Sequence, residues 1–182
     1  MPTSHVALLR GINVGGNNPV RMTDLADAFR TAGYDNVRTV LASGNVLFTS
    51  TSSSPRTLEA DLERMLGTTF GTAFPVVVRS RAELAKIIDS APAGHDSPKL
   101  RRDVFFLKHP LTAKQAMAHV PELNDDVDTM TAGSGVLYFS RVKATATKTR
   151  IQEFMAMPIY KQLTVRTWGT TTKLLALMDA DR

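Results

Sequence analysis

The first half of the chain alternates between the two-residue period of strands and the longer period of amphipathic helices. Short apolar runs bounded by glycine or polar residues predict strands, and apolar residues spaced three or four apart predict helices. The predicted strands cover 4–10, 36–43, 45–50 and 74–80, and the predicted helices cover 23–33, 55–69 and 82–90. The order β-α-β-β-α-β is that of the ferredoxin-like plait, here followed by one extra helix.

The same order of elements returns in the second half, after a stretch over 91–98 whose prolines and glycine are typical of a linker. Strands are predicted over 103–108, 127–132, 136–141 and 163–168, and helices over 112–119, 147–157 and 170–179. The sequence therefore predicts an α+β protein of two tandem ferredoxin-like plaits, residues 1–90 and 91–182, each with an added C-terminal helix.

An internal repeat supports this division. At an offset of 90 residues, Val37–Ser50 aligns with Val127–Ser140, and six of the fourteen positions are identical. The alignment pairs Phe48 with Tyr138 on the same face of two central strands. RNA-binding plaits carry stacking aromatics on such a face, but this chain has few aromatics and lacks their signature sequence. We therefore expect both faces to be covered, by the extra helices or by the other repeat.

The largest difference between the two halves lies just after the first strand. There the offset becomes 98, because Val6 aligns with Val104 and Arg10 with Lys108. The eight extra residues of the first half fall in the loop from Gly11 to Met22, which we call the opening loop. The fold does not need this length, and surplus loops on a rigid scaffold often carry function.

Glycine and asparagine tolerate positive φ, so the opening loop can turn its backbone N–H groups toward an anion at the start of the following helix. Arginines at both ends of the loop would add charged donors. The alternative is that asparagine side chains order the loop by bonding its own backbone. The predicted ligand-binding residues here are Arg10, Gly11, Asn13, Gly15, Gly16 and Arg21.

Two strand-to-helix corners in the second half also favour an anion. Lys148 lies in the first turn of the helix predicted over 147–157, where a cation opposes the helix dipole. Either a bound anion or simple exposure to solvent would explain why a cation is tolerated at this position. Trp168 ends the last predicted strand and is placed to stack on a base or a sugar, although a lone tryptophan more often belongs to a core or an interface.

Three motifs carry a resemblance to a known family: Leu8–Gly16 (LLRGINVGG), Val37–Thr39 (VRT) and Ser43–Val46 (SGNV). The chain resembles domain of unknown function family 1697 over nearly its whole length. That family has no established activity, so the resemblance implies two ferredoxin-like plaits in one chain and no particular chemistry. The third motif contains Asn45, which completes the predicted ligand-binding residues.

Composition narrows the possible functions without identifying one. Residues 1–90 hold 9 basic and 8 acidic side chains, whereas residues 91–182 hold 13 and 9, within a net charge of +5. The basic second half favours an acidic partner, with a merely solvated surface as the alternative. Cysteine is absent and no apolar run approaches the roughly 18 residues of a membrane span, so we expect a cytoplasmic protein and no membrane partner. The four histidines are scattered, so no metal or other cofactor is predicted.

These observations favour a module that binds an anionic ligand, such as a nucleotide or nucleic acid, at its strand-to-helix loops. One alternative is an enzyme that acts on a small phosphorylated substrate through Arg10, Asn13, Asn45 and Lys148, with Lys148 as the proton-transfer group. The other alternative is an interaction domain that forms a homodimer through an exposed sheet edge or face.

Overall fold

Strands and helices alternate along the chain in the predicted order, and the α+β class is confirmed. The computed structural model describes residues 1–16, 19–52 and 54–180, so Asn17 and Asn18 of the opening loop lie outside the described residues. The chain divides into two units, Met1–Leu84 together with Leu174–Arg182, and Ala85–Lys173. The division into 1–90 and 91–182 stays a prediction.

The first unit contains a four-stranded antiparallel sheet and two long helices. Its elements are β1 (Thr3–Leu9), α1 (Met22–Thr31), β2 (Asp35–Val40), β3 (Asn45–Ser50), α2 (Pro55–Phe70) and β4 (Val76–Ser80), and its first segment ends inside α3 (Arg81–Asp89). The strand order across the sheet is β2-β3-β1-β4, so β4 lies at one edge.

Helix α2 shows how the local sequence sets the ends of an element. Ser54 accepts a hydrogen bond from the Thr57 N–H at 3.4 Å, Pro55 lies in the first turn, and Gly71 ends the helix at φ 67°. Alternate residues of the strands pack with α1 and α2 in one core. That core contains Ala7, Leu9, Ile12, Leu25, Phe29, Val46, Phe48, Leu58, Leu62, Leu66, Phe74, Val76 and Val78.

Carboxylates occupy the outer edge of β4. The Val76 N–H donates to Glu63 Oε1 at 2.9 Å, and the Val78 N–H donates to Glu59 Oε1 at 3.0 Å. Glu59 and Glu63 lie one turn apart on α2, and this spacing matches that of alternate residues along the strand. Because these N–H groups are already satisfied, this part of the edge is protected against pairing with a further strand.

The second unit has the same order of strands with shorter helices. Its elements are β5 (Leu100–Leu107), α4 (Ala113–Met117), β6 (Asp128–Ala132), β7 (Val136–Val142), α5 (Ile151–Met155), β8 (Leu163–Thr167) and the start of α6 (Trp168–Ala180). The sheet is antiparallel in the order β6-β7-β5-β8. Its core contains Phe105, Leu107, Ala116, Leu137, Phe139, Ile151, Phe154, Ile159 and Leu163.

The helix predicted over 147–157 is shorter than expected and is preceded by a different element. Lys143–Lys148 form a 3₁₀ helix kinked at Thr145 (φ −122°, ψ 20°), and α5 begins only at Ile151. Threonines at 145, 147 and 149 lower the helix propensity of this stretch, because their β-branched side chains crowd the preceding turn. The Arg150 N–H donates to Asp128 Oδ2 at 2.8 Å, so a carboxylate from β6 lies at the start of α5.

The alignment of Phe48 with Tyr138 is wrong about the faces of their strands. Both rings are buried, but Phe48 belongs to the core of the first unit, whereas Tyr138 lies on the face of β7 opposite the second core. Val46 and Leu137 are the equivalent residues, an offset of 91, since their partners are the matching residues of β1 and β5. A slip of one residue exchanges the two faces of a strand.

The largest differences at strand boundaries are of three residues, at the end of β2 and at the start of β5. β2 ends at Val40 instead of residue 43, because Leu41 (φ 60°) and Gly44 (φ 79°) turn the chain back toward β3. β5 begins at Leu100 instead of residue 103. The earlier start places two consecutive arginines inside the strand.

Candidate functional site

Four described residues of the opening loop adopt the backbone conformation that its composition predicts. Gly11, Asn13, Gly15 and Gly16 have φ between 54° and 76°. A Cβ atom at any of the three glycines would meet nothing within 4 Å, so the positive φ, not crowding, is what favours glycine here.

Asn13 holds the opening loop closed. Its Nδ2 donates to Val20 O at 2.9 Å and to Ala42 O at 3.1 Å, and its Oδ1 accepts from the Val20 N–H at 2.8 Å. Both amide hydrogens are therefore used within the protein. These contacts match the alternative interpretation, in which an asparagine orders its own loop.

The two arginines of the opening loop have different surroundings. Arg10 is half-buried just after β1, and its backbone N–H donates to Pro75 O at 2.9 Å. Arg21 is exposed and donates to both carboxylate oxygens of Asp24, at 2.8 and 3.0 Å. That hydrogen-bonded ion pair raises the pKa of Arg21. It also means that the first turn of α1 already has a carboxylate beside it.

Asn45 is buried at the start of β3, where its amide shapes the turn that follows β2. Its Nδ2 donates to Val40 O at 2.8 Å and to Ser43 Oγ at 3.1 Å. The neighbouring Gly44 packs against the opening loop so closely that a Cβ atom there would collide with Cγ2 of Ile12. Among the predicted site residues, Asn45 and those of the opening loop lie in the first unit.

Lys148 belongs to the second unit and lies at the exposed end of the 3₁₀ helix. Its carbonyl accepts from Asn124 Nδ2 at 3.0 Å. Because α5 begins at Ile151, Lys148 is outside the first turn of that helix, and the argument from an opposed helix dipole does not apply. A role for Lys148 stays a prediction that rests on its charge alone.

Trp168 is the first residue of α6 and is half-buried beside His95. The ring centroid of His95 lies 4.8 Å from that of Trp168 at 88°, and 5.6 Å from that of Tyr138 at 71°. His95 is 5% exposed, and its Nε2 has no hydrogen-bond partner among the described residues. The stretch predicted as a linker therefore contributes a buried imidazole to the second unit.

Trp168 also lines a cavity of about 290 Å³, which we call the basic pocket. It lies where β5 begins and where β7 and β8 end, next to the start of α6. Four of its side chains are cations and one is a carboxylate. The lining residues are Leu100, Arg101, Arg102, Asp103, Arg141, Lys143, Thr167, Trp168 and Gly169.

Strand pairing brings two cations of the basic pocket together. Arg101 and Arg141 are direct partners across β5 and β7, an arrangement that repulsion between like charges disfavours. The Nε of Arg141 is buried and has no hydrogen-bond partner among the residues that the structure describes. Burial raises the pKa of Asp103, and the charges of Arg141 and Arg101 oppose that rise. Asp103 is the one carboxylate that lines the basic pocket, and a second carboxylate, Asp128, is the direct partner of Arg141 across β6 and β7.

The sequence draws attention to Trp168 but not to the residues that surround it. In the sequence the arginines of β5 only add to the general charge excess of the second half, because the predicted strand begins at residue 103. A strand that began at Leu100 would have placed Arg101 opposite Arg141. His95 gave no signal, since a lone histidine in a stretch rich in proline and glycine has no periodic context.

Residues 1–16, 19–52 and 54–180 contain no cluster of three acidic or histidine side chains that could hold a metal ion. In the same part of the chain, no helix combines the length and the apolar character needed to cross a bilayer.

Comparisons with known proteins concern the fold of the chain and its family. A solved structure described as that of conserved bacterial protein SP0830 from Streptococcus pneumoniae superposes with a TM-score of 0.81 at 26% sequence identity, over 97% of this chain and 98% of that chain. No curated protein matches the sequence. A family model described as Protein of unknown function (DUF1697) matches residues 2–138. Because that match covers three quarters of the sequence, the chain belongs to this family.

Proposed function

We propose that the protein binds an anionic ligand bearing phosphate or carboxylate, and that the basic pocket of the second unit is its main site. The observation that carries this proposal is the facing pair Arg101 and Arg141, which share one cavity with Arg102 and Lys143. Guanidinium groups bind phosphate and carboxylate through paired, charge-assisted hydrogen bonds. An anion beside the two arginines would add to the charge compensation that Asp103 and Asp128 provide, and it would give Arg141 Nε an acceptor.

The start of α6 adds to the positive potential of the basic pocket. Thr167, Trp168 and Gly169 all line it, so the N-terminal end of a 13-residue helix borders the cavity. Thr167 Oγ1 accepts from the Thr170 N–H at 3.2 Å, which fixes the first turn. The positive end of the helix dipole therefore acts in the same direction as the four cationic side chains.

The proposal is tested by titrating the protein with inorganic pyrophosphate while following tryptophan fluorescence. Trp168 is the single tryptophan of the chain and lines the basic pocket, so its emission reports on this site. We expect saturable binding that weakens as salt screens the charges. Arg141→Gln is expected to reduce affinity about tenfold, since one charge-assisted hydrogen bond contributes on the order of 1.5 kcal/mol or more.

Lys161→Gln is the matched control, because Lys161 is an exposed cation of the same unit that does not line the basic pocket. It removes the same charge and should leave the affinity nearly unchanged. Equal affinities of Arg141→Gln and Lys161→Gln, or the absence of pyrophosphate binding to the unmodified protein at low salt, would overturn the proposal.

The opening loop is the second proposed place for an anion. Its run of positive φ angles supports this role, whereas the contacts of Asn13 and the ion pair between Arg21 and Asp24 favour a structural one. Arg10 lies just after β1 and is the most informative residue to change. The residues of this second place are Arg10, Gly11, Asn13, Gly15, Gly16, Arg21 and Asn45.

We also propose a more specific description of the fold and of the location of the protein. The orders β2-β3-β1-β4 and β6-β7-β5-β8 support two ferredoxin-like plaits related by duplication, with residues 1–90 and 91–182 as the repeats. Arg79 and Arg166 occupy corresponding positions in the two halves, because each donates through Nη1 to the carbonyl of the residue before it, at 2.7 and 2.9 Å.

The absence of cysteine supports a cytoplasmic location.

A further inference from the structure

We infer that the ligand is a nucleotide, with its phosphate in the basic pocket and its nucleoside in a second cavity next to it. This inference rests on the proposed function and names the ligand class for the same site. The second cavity has a volume of about 430 Å³, which is within the range of small-molecule sites. We call it the His95 cavity.

The His95 cavity lies on the face of the second sheet that is opposite the core of that unit. Its wall is the segment 92–99, where three successive turns are closed by His95 N–H to Pro92 O at 3.0 Å, Ser97 N–H to Gly94 O at 2.9 Å and Leu100 N–H to Ser97 O at 3.2 Å. Its floor is formed by residues of β6 and β7. The floor residues are Thr129, Thr131, Tyr138, Ser140 and Val142.

The lining of the His95 cavity is mostly apolar, with several hydroxyl groups and little charge. Hydroxyl groups of Thr129, Thr131 and Ser140 are present, and Lys99 is the one Lys, Arg, Asp or Glu among its lining residues. Hydroxyls can both donate and accept hydrogen bonds, which suits the mixed donors and acceptors of a base and a ribose. The basic pocket has the opposite character, with four cations. One cavity therefore suits the neutral part of a nucleotide, and the other suits its anionic part.

His95 gives the cavity a side chain that is suited to hydrogen bonding with a base. Burial lowers the pKa of His95 and the charge of Arg102 lowers it further, whereas the charge of Asp96 opposes this shift; the net lowering favours a neutral imidazole at physiological pH. A neutral imidazole has one donor and one acceptor nitrogen, and Nε2 of His95 has no partner among the described residues. A buried polar atom without a partner is costly, and a bound ligand would remove that cost after a small adjustment of the ring.

The positions of two aromatic rings limit how the imidazole can move. The Tyr138 hydroxyl donates to Ile87 O at 2.5 Å, which fixes the ring that contacts one side of His95. Trp168 contacts the same imidazole edge to face, with 4.8 Å between the ring centroids.

Two residues connect the cavities. Leu100 lines both of them. Arg102 lines the basic pocket, and its Nη1 donates to the His95 carbonyl at 3.3 Å, so one side chain links the cation cluster to the wall of the His95 cavity. Leu100 and Arg102 lie on the face of β5 opposite Arg101, so the connection between the cavities runs round the start of this strand. The adjacent cavities match the connected parts of a nucleoside phosphate, in which a neutral base and sugar are joined to a phosphate.

The inference is tested by calorimetric titration of the whole protein with pyrophosphate, ribose 5-phosphate and the four ribonucleoside 5′-monophosphates. We expect at least one nucleotide to bind about tenfold or more tightly than ribose 5-phosphate, because only the nucleotide fills the His95 cavity. His95→Gln and the isosteric Thr131→Val are each expected to remove most of that tenfold preference and to leave pyrophosphate binding unchanged. His119→Gln is the control, since His119 is exposed and lines neither cavity.

The outcomes separate this inference from the proposed function. Equal affinity for ribose 5-phosphate and all four nucleotides, with saturable pyrophosphate binding, would overturn the inference and leave the proposed function standing. Absence of pyrophosphate binding by the unmodified protein would overturn both the inference and the proposed function. Much tighter binding of a single-stranded oligonucleotide than of any mononucleotide would also overturn the inference, because it would indicate a surface for a polymer. If His95→Gln fails to fold, Thr131→Val alone decides, since a threonine-to-valine change keeps the shape of the side chain.

Discussion

Glu59 and Arg79 form a buried ion pair in the first unit, with 3.5 Å between Glu59 Oε1 and Arg79 Nη1 and at most 3% of either side chain exposed. The same Glu59 oxygen accepts the Val78 N–H, and Arg79 Nη1 donates to Val78 O at 2.7 Å. Burial lowers the pKa of Arg79, and the negative charges of Glu59 and Glu83 oppose that effect. The ion pair and the backbone of β4 are therefore energetically coupled.

The first prediction concerns the charge of Glu59. Glu59→Gln keeps an oxygen that can accept the Val78 N–H but removes the negative charge beside the buried guanidinium of Arg79. Loss of one partner of a buried ion pair costs about 3 kcal/mol or more. We expect a decrease of that size in the free energy of unfolding, measured by urea denaturation.

Asp61→Asn is the control on the same helix. Asp61 pairs with Arg64 at 3.1 Å, but both side chains are largely exposed, so we expect a change within about 0.5 kcal/mol. Equal effects of Glu59→Gln and Asp61→Asn would show that the buried ion pair contributes nothing beyond an exposed one.

The second prediction concerns Gly44, in the turn after β2. Its φ is 79°, and a Cβ atom there would collide with Cγ2 of Ile12 and approach Leu9 Cβ to 3.0 Å. Gly44→Ala therefore combines backbone strain with overpacking, and we expect it to lower the free energy of unfolding by at least about 2 kcal/mol. Gly11→Ala, at φ 74° with no neighbour within 4 Å, adds strain alone and should cost about 1 kcal/mol. A larger loss for Gly11→Ala than for Gly44→Ala would contradict this account.

Local signals explain the parts of the fold that the sequence predicts well. Ser54 and Pro55 mark the start of α2, and β3 covers residues 45–50 as expected, because capping and turn residues act on the backbone beside them. The predicted face of Tyr138 is wrong because the offset of 90 residues is one residue too small. The number of identical aligned residues does not reveal this error, but a shift of one residue moves each side chain to the other face of the strand. His95 and the pair Arg101 and Arg141 depend on tertiary pairing, which has no local signature.

The third prediction concerns acid stability and depends on two buried histidines. Burial lowers the pKa of His5, whose Nδ1 lies 2.9 Å from Thr3 O, and burial likewise lowers the pKa of His95. An unfolded histidine binds a proton near pH ~6.5, whereas these two bind it only at lower pH when folded. As the pH falls below about 6.5, the unfolded chain therefore binds more protons, and the free energy of unfolding decreases until the folded-state pKa values are passed.

The measurement is the urea midpoint across this pH range for the unmodified protein and two variants. His95→Gln should weaken the pH dependence, since one of the two buried imidazoles is gone. His119→Gln, at an exposed position, should keep it. A urea midpoint that does not change between neutral pH and pH ~5.5 would contradict the prediction that these histidines are neutral in the folded state.

The last prediction separates the structural role of the opening loop from a ligand-binding role. Asn13 makes three hydrogen bonds that join Val20 and Ala42, so Asn13→Ala should lower the free energy of unfolding by about 1–3 kcal/mol whatever the loop binds. Arg10→Ala tests binding directly, and it is best measured in an Arg141→Gln background, where the basic pocket is already weakened. If the opening loop holds an anion, the residual affinity for pyrophosphate should fall roughly tenfold to a hundredfold, as expected for a lost charged hydrogen bond.

Arg21→Ala is the matched comparison, because Arg21 is exposed and already paired with Asp24. It should reduce that residual affinity only slightly, since its guanidinium must leave Asp24 to reach a ligand. If Arg10→Ala leaves pyrophosphate affinity unchanged while Asn13→Ala still destabilises the protein, the opening loop is structural. Its extra length would then serve to cover the turn between β2 and β3, where Ile12 packs against Gly44 and Asn13 bonds to Ala42.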